Sequence, residues 1–201
     1  MFGGVKKDWE KGVYWTEFYV GDDIHTLEYL ARGPENMKDI RLVQLPDGRI
    51  GVFTRPQGEV GGLGKIGFTI VEELSRLNAD VIGQAGLIED QFGEKRWGGV
   101  NQALLLANGR IGVLGHVAEF EVDGTKRYSA MTFVFDPDLR KSTPMQVIAV
   151  REDFPMTAAK RPDLKHVVLP AGIVLNGDQT AQLFVGLSDI GVGVKPVFRK
   201  F

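Results

Sequence analysis

The letters GRIGV occur twice, at residues 48–52 and 109–113, each time after an apolar run and a turn signal: RLVQLPDGRIGVFTRP (41–56) and NQALLLANGRIGVLGHV (101–117). Asp47-Gly48 and Asn108-Gly109 are strong hairpin signals between strand-like segments. A third version, HVVLPAGIVLNGDQTAQLFVGLSD (166–189), places Asn176-Gly177 between two more apolar runs. The turn glycines Gly48, Gly109 and Gly177 are thus spaced by about sixty to seventy residues, which reads as a repeated unit.

Each hairpin is followed by a third strand-like run: KIGFTIV, RYSAMTFVFD and IGVGVKPVF. ADVIGQA and PMQVIAV supply a fourth strand to the first two units. Ahead of them, GVYWTEFYVGDD and HTLEYLARG read as the last two strands of an incomplete unit, with Asp22 and Asp23 in a turn. VEELSRL (71–77) is too short for an independent helix and reads as a turn. Repeated four-stranded units predict an all-β fold of the β-propeller type. A β-sandwich also has many short strands but no reason to repeat one hairpin in the same letters. The predicted blades are approximately 13–34 (partial), 38–85, 97–152 and 165–201 of a single partial domain, about three and a half in number. An open ring would expose an apolar blade face, so self-association is expected there unless further chain closes the ring.

Composition narrows the function classes. The chain has 201 residues, 43% hydrophobic and 25% charged, with 26 glycines and 9 prolines spread along its length. A net charge of -2 without a basic block argues against nucleic acid or anionic membrane as a partner. The absence of cysteine excludes disulfides, thiolate metal sites and thiol nucleophiles. MFGGVKKDWEKG lacks an apolar leader, and no run of eighteen apolar residues occurs. The expected protein is soluble and cytoplasmic. Three scattered histidines form no local metal motif, so neither metal nor organic cofactor is expected. GEVGGLGK (58–65) lacks the spacing and the following helix of a phosphate loop.

In a propeller, the starts of the innermost strands converge near the axis. Asp39 and Arg41, Asn101 and Gln102, and His166 occupy those starts; Arg55, His116 and Asp189 lie at strand ends on the same rim. These residues are the candidate polar pocket, in which Arg41, His116 and Asp189 are expected to meet. Each also has a structural reading: Arg41 in an interblade ion pair, His116 and His166 as packed histidines, Asp189 as a turn cap, Arg55 as a rim charge.

GGVNQALLLANGRIGVLGHV, RYSAMTFVFDPD, KHVVLPAGIVLNGDQTAQLFVGLSD and MKDIRLVQLPDGRIGVFTRPQG together resemble blades of the five-bladed propeller glycosidases and phosphorylases. The nearest group is the mannoside phosphorylases of glycoside hydrolase family 130. Taken whole, the chain from Val13 onward is most similar to their uncharacterised relatives, domain of unknown function 1861. The resemblance implies that an N-terminal part of the family's propeller is missing here. It also implies a carbohydrate ligand, mannose-like, with inorganic phosphate as a co-substrate. By resemblance, Arg41 matches an arginine of the phosphate and substrate site, His116 the histidine of a Tyr-His-Gly strand, and Asp189 an aspartate after the last strand pair. The family's phosphate-binding lysine has no counterpart in NQALLLA, and its catalytic aspartate is not placed in this chain. Inverting hydrolysis needs an acid and a base, whereas phosphorolysis needs one acid and a cationic cradle for the anion. Two readings therefore stand: a glycosidase-like or phosphorylase-like enzyme, and a non-catalytic propeller that binds sugar or protein.

Overall fold

The repeated letters encode a three-residue hairpin loop. The computed structural model, which describes residues 1–177 and 179–198, holds it three times in one form. Leu45 N–H donates to the Arg49 carbonyl at 2.8 Å and Gly48 N–H to the Leu45 carbonyl at 3.0 Å. The same two bonds join Leu106, Gly109 and Arg110, and again Glu121, Gly124 and Thr125. In each loop the glycine has positive φ, at 91°, 80° and 79°. The preceding Asp47, Asn108 or Asp123 accepts the next backbone N–H through Oδ1 at 3.0–3.1 Å. A turn closed by a left-handed residue is the usual three-residue hairpin, and glycine enters that conformation without steric cost. Around Asn176 the loop length is the same, with Asn176 N–H bonded to the Thr180 carbonyl at 2.9 Å. There Gln179, at φ 65°, takes the left-handed position. Gly177 is therefore not the counterpart of Gly48 and Gly109.

Two compact units follow in sequence, Met1–Ile88 and Glu89–Phe201. The first contains two antiparallel sheets. β1 (Phe2–Asp8), β2 (Val13–Val20) and β3 (Glu28–Arg32) form one, in order β1-β2-β3. β4 (Arg41–Gln44), β5 (Ile50–Thr54), β6 (Gly67–Val71) and β7 (Gly86–Leu87) form the other in chain order. Two short helices interrupt this second sheet, α1 (Gly58–Gly61) and α2 (Ala79–Gly83). β1 is a strand that the sequence reading leaves out. Its FGGVKKD carries two glycines and two lysines, and cross-strand pairing with Val13 to Tyr19 supplies what propensity does not. ADVIGQA, expected as a fourth strand, is instead α2, because Asn78 caps it through Oδ1 to Val81 N–H at 3.0 Å. The fourth strand is the two-residue β7. VEELSRL holds only a single 3₁₀ turn, Leu74–Arg76, in line with its reading as a turn. Phe18, Ile40, Ile50, Val52 and Ile82 anchor this unit's core.

The second unit contains β8 (Arg96–Leu105), β9 (Ile111–Phe120), β10 (Lys126–Asp136), β11 (Lys141–Ser142), β12 (Gln146–Ala149), β13 (His166–Leu175), β14 (Thr180–Leu187) and β15 (Gly191–Phe198). β8-β9-β10 is an antiparallel meander extended by β11 and β12 on the free side of β10, and β13-β14-β15 is another. Two parallel pairs, Arg127↔His166 and Tyr128↔Val167, join them. Each meander has a bulge in its first strand, at Val100/Gln102 and at Pro170/Gly172. Gln102 Oε1 accepts the N–H of Ile173 at 2.7 Å, tying one bulged strand to the other. Leu114, Val168, Leu183 and Val185 are fully or nearly fully buried here, whereas Val192, Val194 and Phe198 form an exposed row along β15.

Candidate functional site

The nominated residues fall into one set in each unit. In the first, the β4–β5 register is decisive. Arg41 pairs with Phe53, so continuing the ladder by two residues sets Asp39 opposite Arg55. Arg55 Nη1 lies 3.5 Å from Asp39 Oδ2, and Arg55 is only 4% exposed. Asp39 has φ 59°, a left-handed conformation that aspartate tolerates better than most residues. Arg55 Nη2 donates to the Leu63 carbonyl at 3.3 Å, and Gln57 Nε2 reaches the same oxygen at 3.1 Å. Tyr14 Oη fixes Gln57 through a 2.9 Å bond. The segment containing GEVGGLGK wraps the buried guanidinium. A Cβ at Gly64, whose φ is +136°, would fall 2.6 Å from Arg55. Gly64 thus makes room for an arginine, a role the spacing of the segment did not disclose.

Arg41 donates through Nη1 to the Ile40 carbonyl at 2.9 Å. Burial pushes its guanidinium pKa down, and the Asp39 carboxylate partly offsets that shift. Two guanidiniums therefore act on the Asp39 carboxylate in a partly desolvated place. Arginine suits this, because it stays charged and presents a planar fork to oxyanions.

In the second unit, Asn101 and Gln102 lie midway along β8 at its bulge rather than at the strand start, which is Arg96. Asn101 Oδ1 is 2.8 Å from His116 Nδ1. A carboxamide oxygen only accepts, so in this contact His116 Nδ1 is the donor. His116 lies inside β9, 2% exposed, and its ring stacks on Tyr128 at 5.6 Å and 21°. Trp97 Nε1 donates to Tyr128 Oη at 3.0 Å. Sequence reasoning missed Trp97 and Tyr128, since nothing local marks strand aromatics that meet across a sheet.

His166 begins β13 and faces Glu152, with Nδ1 3.8 Å from Oε1. Glu152 accepts Arg127 Nη1 at 2.9 Å and 3.1 Å, and Arg127 Nε also donates to Glu121. The Arg127 guanidinium, ahead of a smaller contribution from His166, holds the Glu152 carboxyl below its ordinary range. Asp189 is exposed in the β14–β15 turn, with Ser188 and Asp189 both left-handed at φ 52° and 57°. The structure thus joins Asp39 with Arg55 and Arg41, and Asn101 with His116. His166 belongs to an ion-pair chain. Asp23 accepts the N–H of His25 at 2.6 Å in a turn, as its sequence suggested. Among the described residues, no group of three His, Asp or Glu is arranged to hold a metal, and no helix is long and apolar enough to cross a membrane.

Residues 1–194 match the family described as protein of unknown function (DUF1861). The chain belongs to that family. No curated protein matches the chain. Among solved structures, it is similar to a mannose phosphorylase from Leishmania mexicana in complex with phosphate ion, at 34% identity and TM-score 0.86. That alignment covers 98% of this chain and 62% of the phosphorylase. A GDP-Man-dependent mannosyltransferase from the same organism gives 34% identity and TM-score 0.85, covering 98% of this chain and 63% of that one. An endo-arabinase from Bacteroides thetaiotaomicron, at 10% identity and TM-score 0.63, covers 96% and 73% and shares the fold alone. The chain thus spans less than two thirds of the length of its Leishmania relatives, and its all-β fold is that of carbohydrate-active neighbours.

Proposed function

We propose that the chain is a carbohydrate-active β-propeller chain that binds a mannose-like glycoside, with inorganic phosphate as co-substrate. Its sheets are blades of the five-bladed glycosidase type, in units of approximately 38–85, 97–152 and 165–201 and a first unit that takes in β1 ahead of 13–34. The observation that carries the reading is that the Arg41 and Arg55 guanidiniums converge on the Asp39 carboxylate in a partly buried place. Planar arginine forks so gathered suit a bound oxyanion. Asn101, His116, His166 and Asp189 supply hydrogen-bonding groups of the sort that fix sugar hydroxyls. The 34% identity to a mannose phosphorylase solved with phosphate supports both halves of the reading. The exposed β15 row of Val192, Val194 and Phe198 supports self-association through that face.

The test is calorimetric titration with phosphate and with a β-mannoside, followed by assay for phosphate-dependent release of mannose 1-phosphate. Binding of both ligands is expected, with phosphate binding abolished in Arg41→Ala. Release of the sugar phosphate selects the phosphorylase form of the reading, and binding without release selects the non-catalytic form. Failure to bind either ligand overturns it.

A further inference from the structure

Arg151 is a buried cation that the proposed ligand set leaves out. It opens the short 3₁₀ turn after β12 and is 2% exposed. Its fork is held by neutral acceptors. Nε donates to Ser188 Oγ at 3.3 Å and Nη2 to Thr157 Oγ1 at 2.8 Å. Nη1 donates to the carbonyls of Phe154 at 3.3 Å and Pro155 at 3.0 Å. Burying a guanidinium against neutral groups is unfavourable unless its geometry is needed. A planar fork is what can reach a hydroxyl of one loop and two carbonyls of another at once.

Ser188 is the residue so held. Its Oγ donates onward to the Lys165 carbonyl at 3.3 Å, its N–H to the Val167 carbonyl at 3.0 Å, and its own carbonyl accepts Lys160 N–H at 3.0 Å. It is fully buried, and it stands with Asp189 as two successive non-glycine residues at positive φ. Such pairs persist only where surrounding contacts over-determine them, and they concentrate at ligand sites. Here the contacts act on Ser188, and the beneficiary is its neighbour, whose side chain is exposed. The pairing of Val168 with Leu187 puts this turn at the His166 end of β13.

We propose that Arg151 and Ser188 are positioning residues that lock the Ser188–Asp189 turn so that the Asp189 carboxylate is presented to hydroxyls of the bound sugar. The inference rests on the mannoside reading and adds to it the device that orders one of its ligands. A carboxylate accepts two hydroxyl hydrogen bonds from adjacent sugar carbons, and a fixed backbone spares the ordering entropy on binding.

The experiment compares Asp189→Asn, Ser188→Gly, Arg151→Lys and the wild type by titration with a β-mannoside and, separately, with inorganic phosphate. Asparagine tolerates the left-handed conformation, so Asp189→Asn removes the charge and keeps the turn. Glycine relaxes the turn, so Ser188→Gly removes the locking hydroxyl without adding strain. Mannoside affinity is expected to fall at least tenfold in Asp189→Asn and several-fold in Ser188→Gly and Arg151→Lys, with phosphate affinity unchanged. A merely structural role would lower the melting temperature and leave the mannoside affinity of the folded variants intact. Unchanged affinity in Asp189→Asn or in Ser188→Gly, with wild type binding, overturns this inference alone. Absence of mannoside binding by the wild type overturns the inference and its parent reading together.

Discussion

Each unit buries an arginine, and the two are solvated by the protein in opposite ways. Arg55 faces a carboxylate, Asp39, which is itself one fifth exposed and also acts on Arg41. Arg151 faces two hydroxyls and two carbonyls. In the first case the guanidiniums are held by a charged group beside solvent, where an added anion would meet charge already gathered. In the second, Nε, Nη1 and Nη2 all donate to fixed neutral partners, and the guanidinium serves as a clamp. Burial of arginine is therefore no sign of ligand binding by itself; the character of its acceptors decides.

The sharpest way to break this contrast is to remove the fork. Arg151→Met leaves Ser188 and Thr157 hydroxyls and two carbonyls short of a donor, and should destabilise the fold by about 3 kcal/mol. Denaturant unfolding checks the value, and a loss below that of Arg55→Met would contradict the clamp. Next, Gly64→Ala tests the wrapping of Arg55. The new Cβ would meet the guanidinium at 2.6 Å from a backbone at φ +136°, so a loss of about 2 kcal/mol is expected. Phosphate affinity should fall with it.

Asp39→Asn acts in the other direction. It keeps the left-handed backbone and removes the negative charge between the arginines, which should tighten phosphate binding by about 1 kcal/mol, roughly fivefold. Weaker binding would show that Asp39 orders the arginines more than it opposes the anion. The smallest effect concerns acid. Arg127 lowers the Glu152 carboxyl in the folded protein, so its contribution is present above the ordinary carboxylate range and lost as pH falls through the lowered value. Glu152→Gln should flatten the acid limb of the stability curve slightly, the pair being half-exposed.

How far such features could be read in advance depended on their range. The hairpins at Gly48 and Gly109 were legible because a three-residue loop is decided by its own letters. The same locality misled at Gly177, where loop length is kept and Gln179 takes the special conformation. The Glu121–Thr125 copy, between the second and third strands of its meander, shows that the turn marks hairpins and not units. Asp39 and Arg55 were nominated separately, and the register that joins them follows from the hairpin between them. The Asn101–His116 bond was hidden, because it depends on a bulge that no local pattern announces. Arg151 gave no sequence signal, since its fork joins residues 154–157 to the distant Ser188.

β15 shapes how this molecule can meet others. Pro196 sits within that terminal strand, paired with Gln182, and a proline in a ladder is placed so that its missing donor faces away from its partner. The rim offered to an incoming strand is thereby short of a donor toward its C-terminal end, which discourages fibre growth by backbone zippering. Contact through the flat of the sheet, where Val192 and Val194 project, stays open to a visitor. Crowded solutions of this protein should accordingly form finite, face-to-face assemblies before they form extended ones.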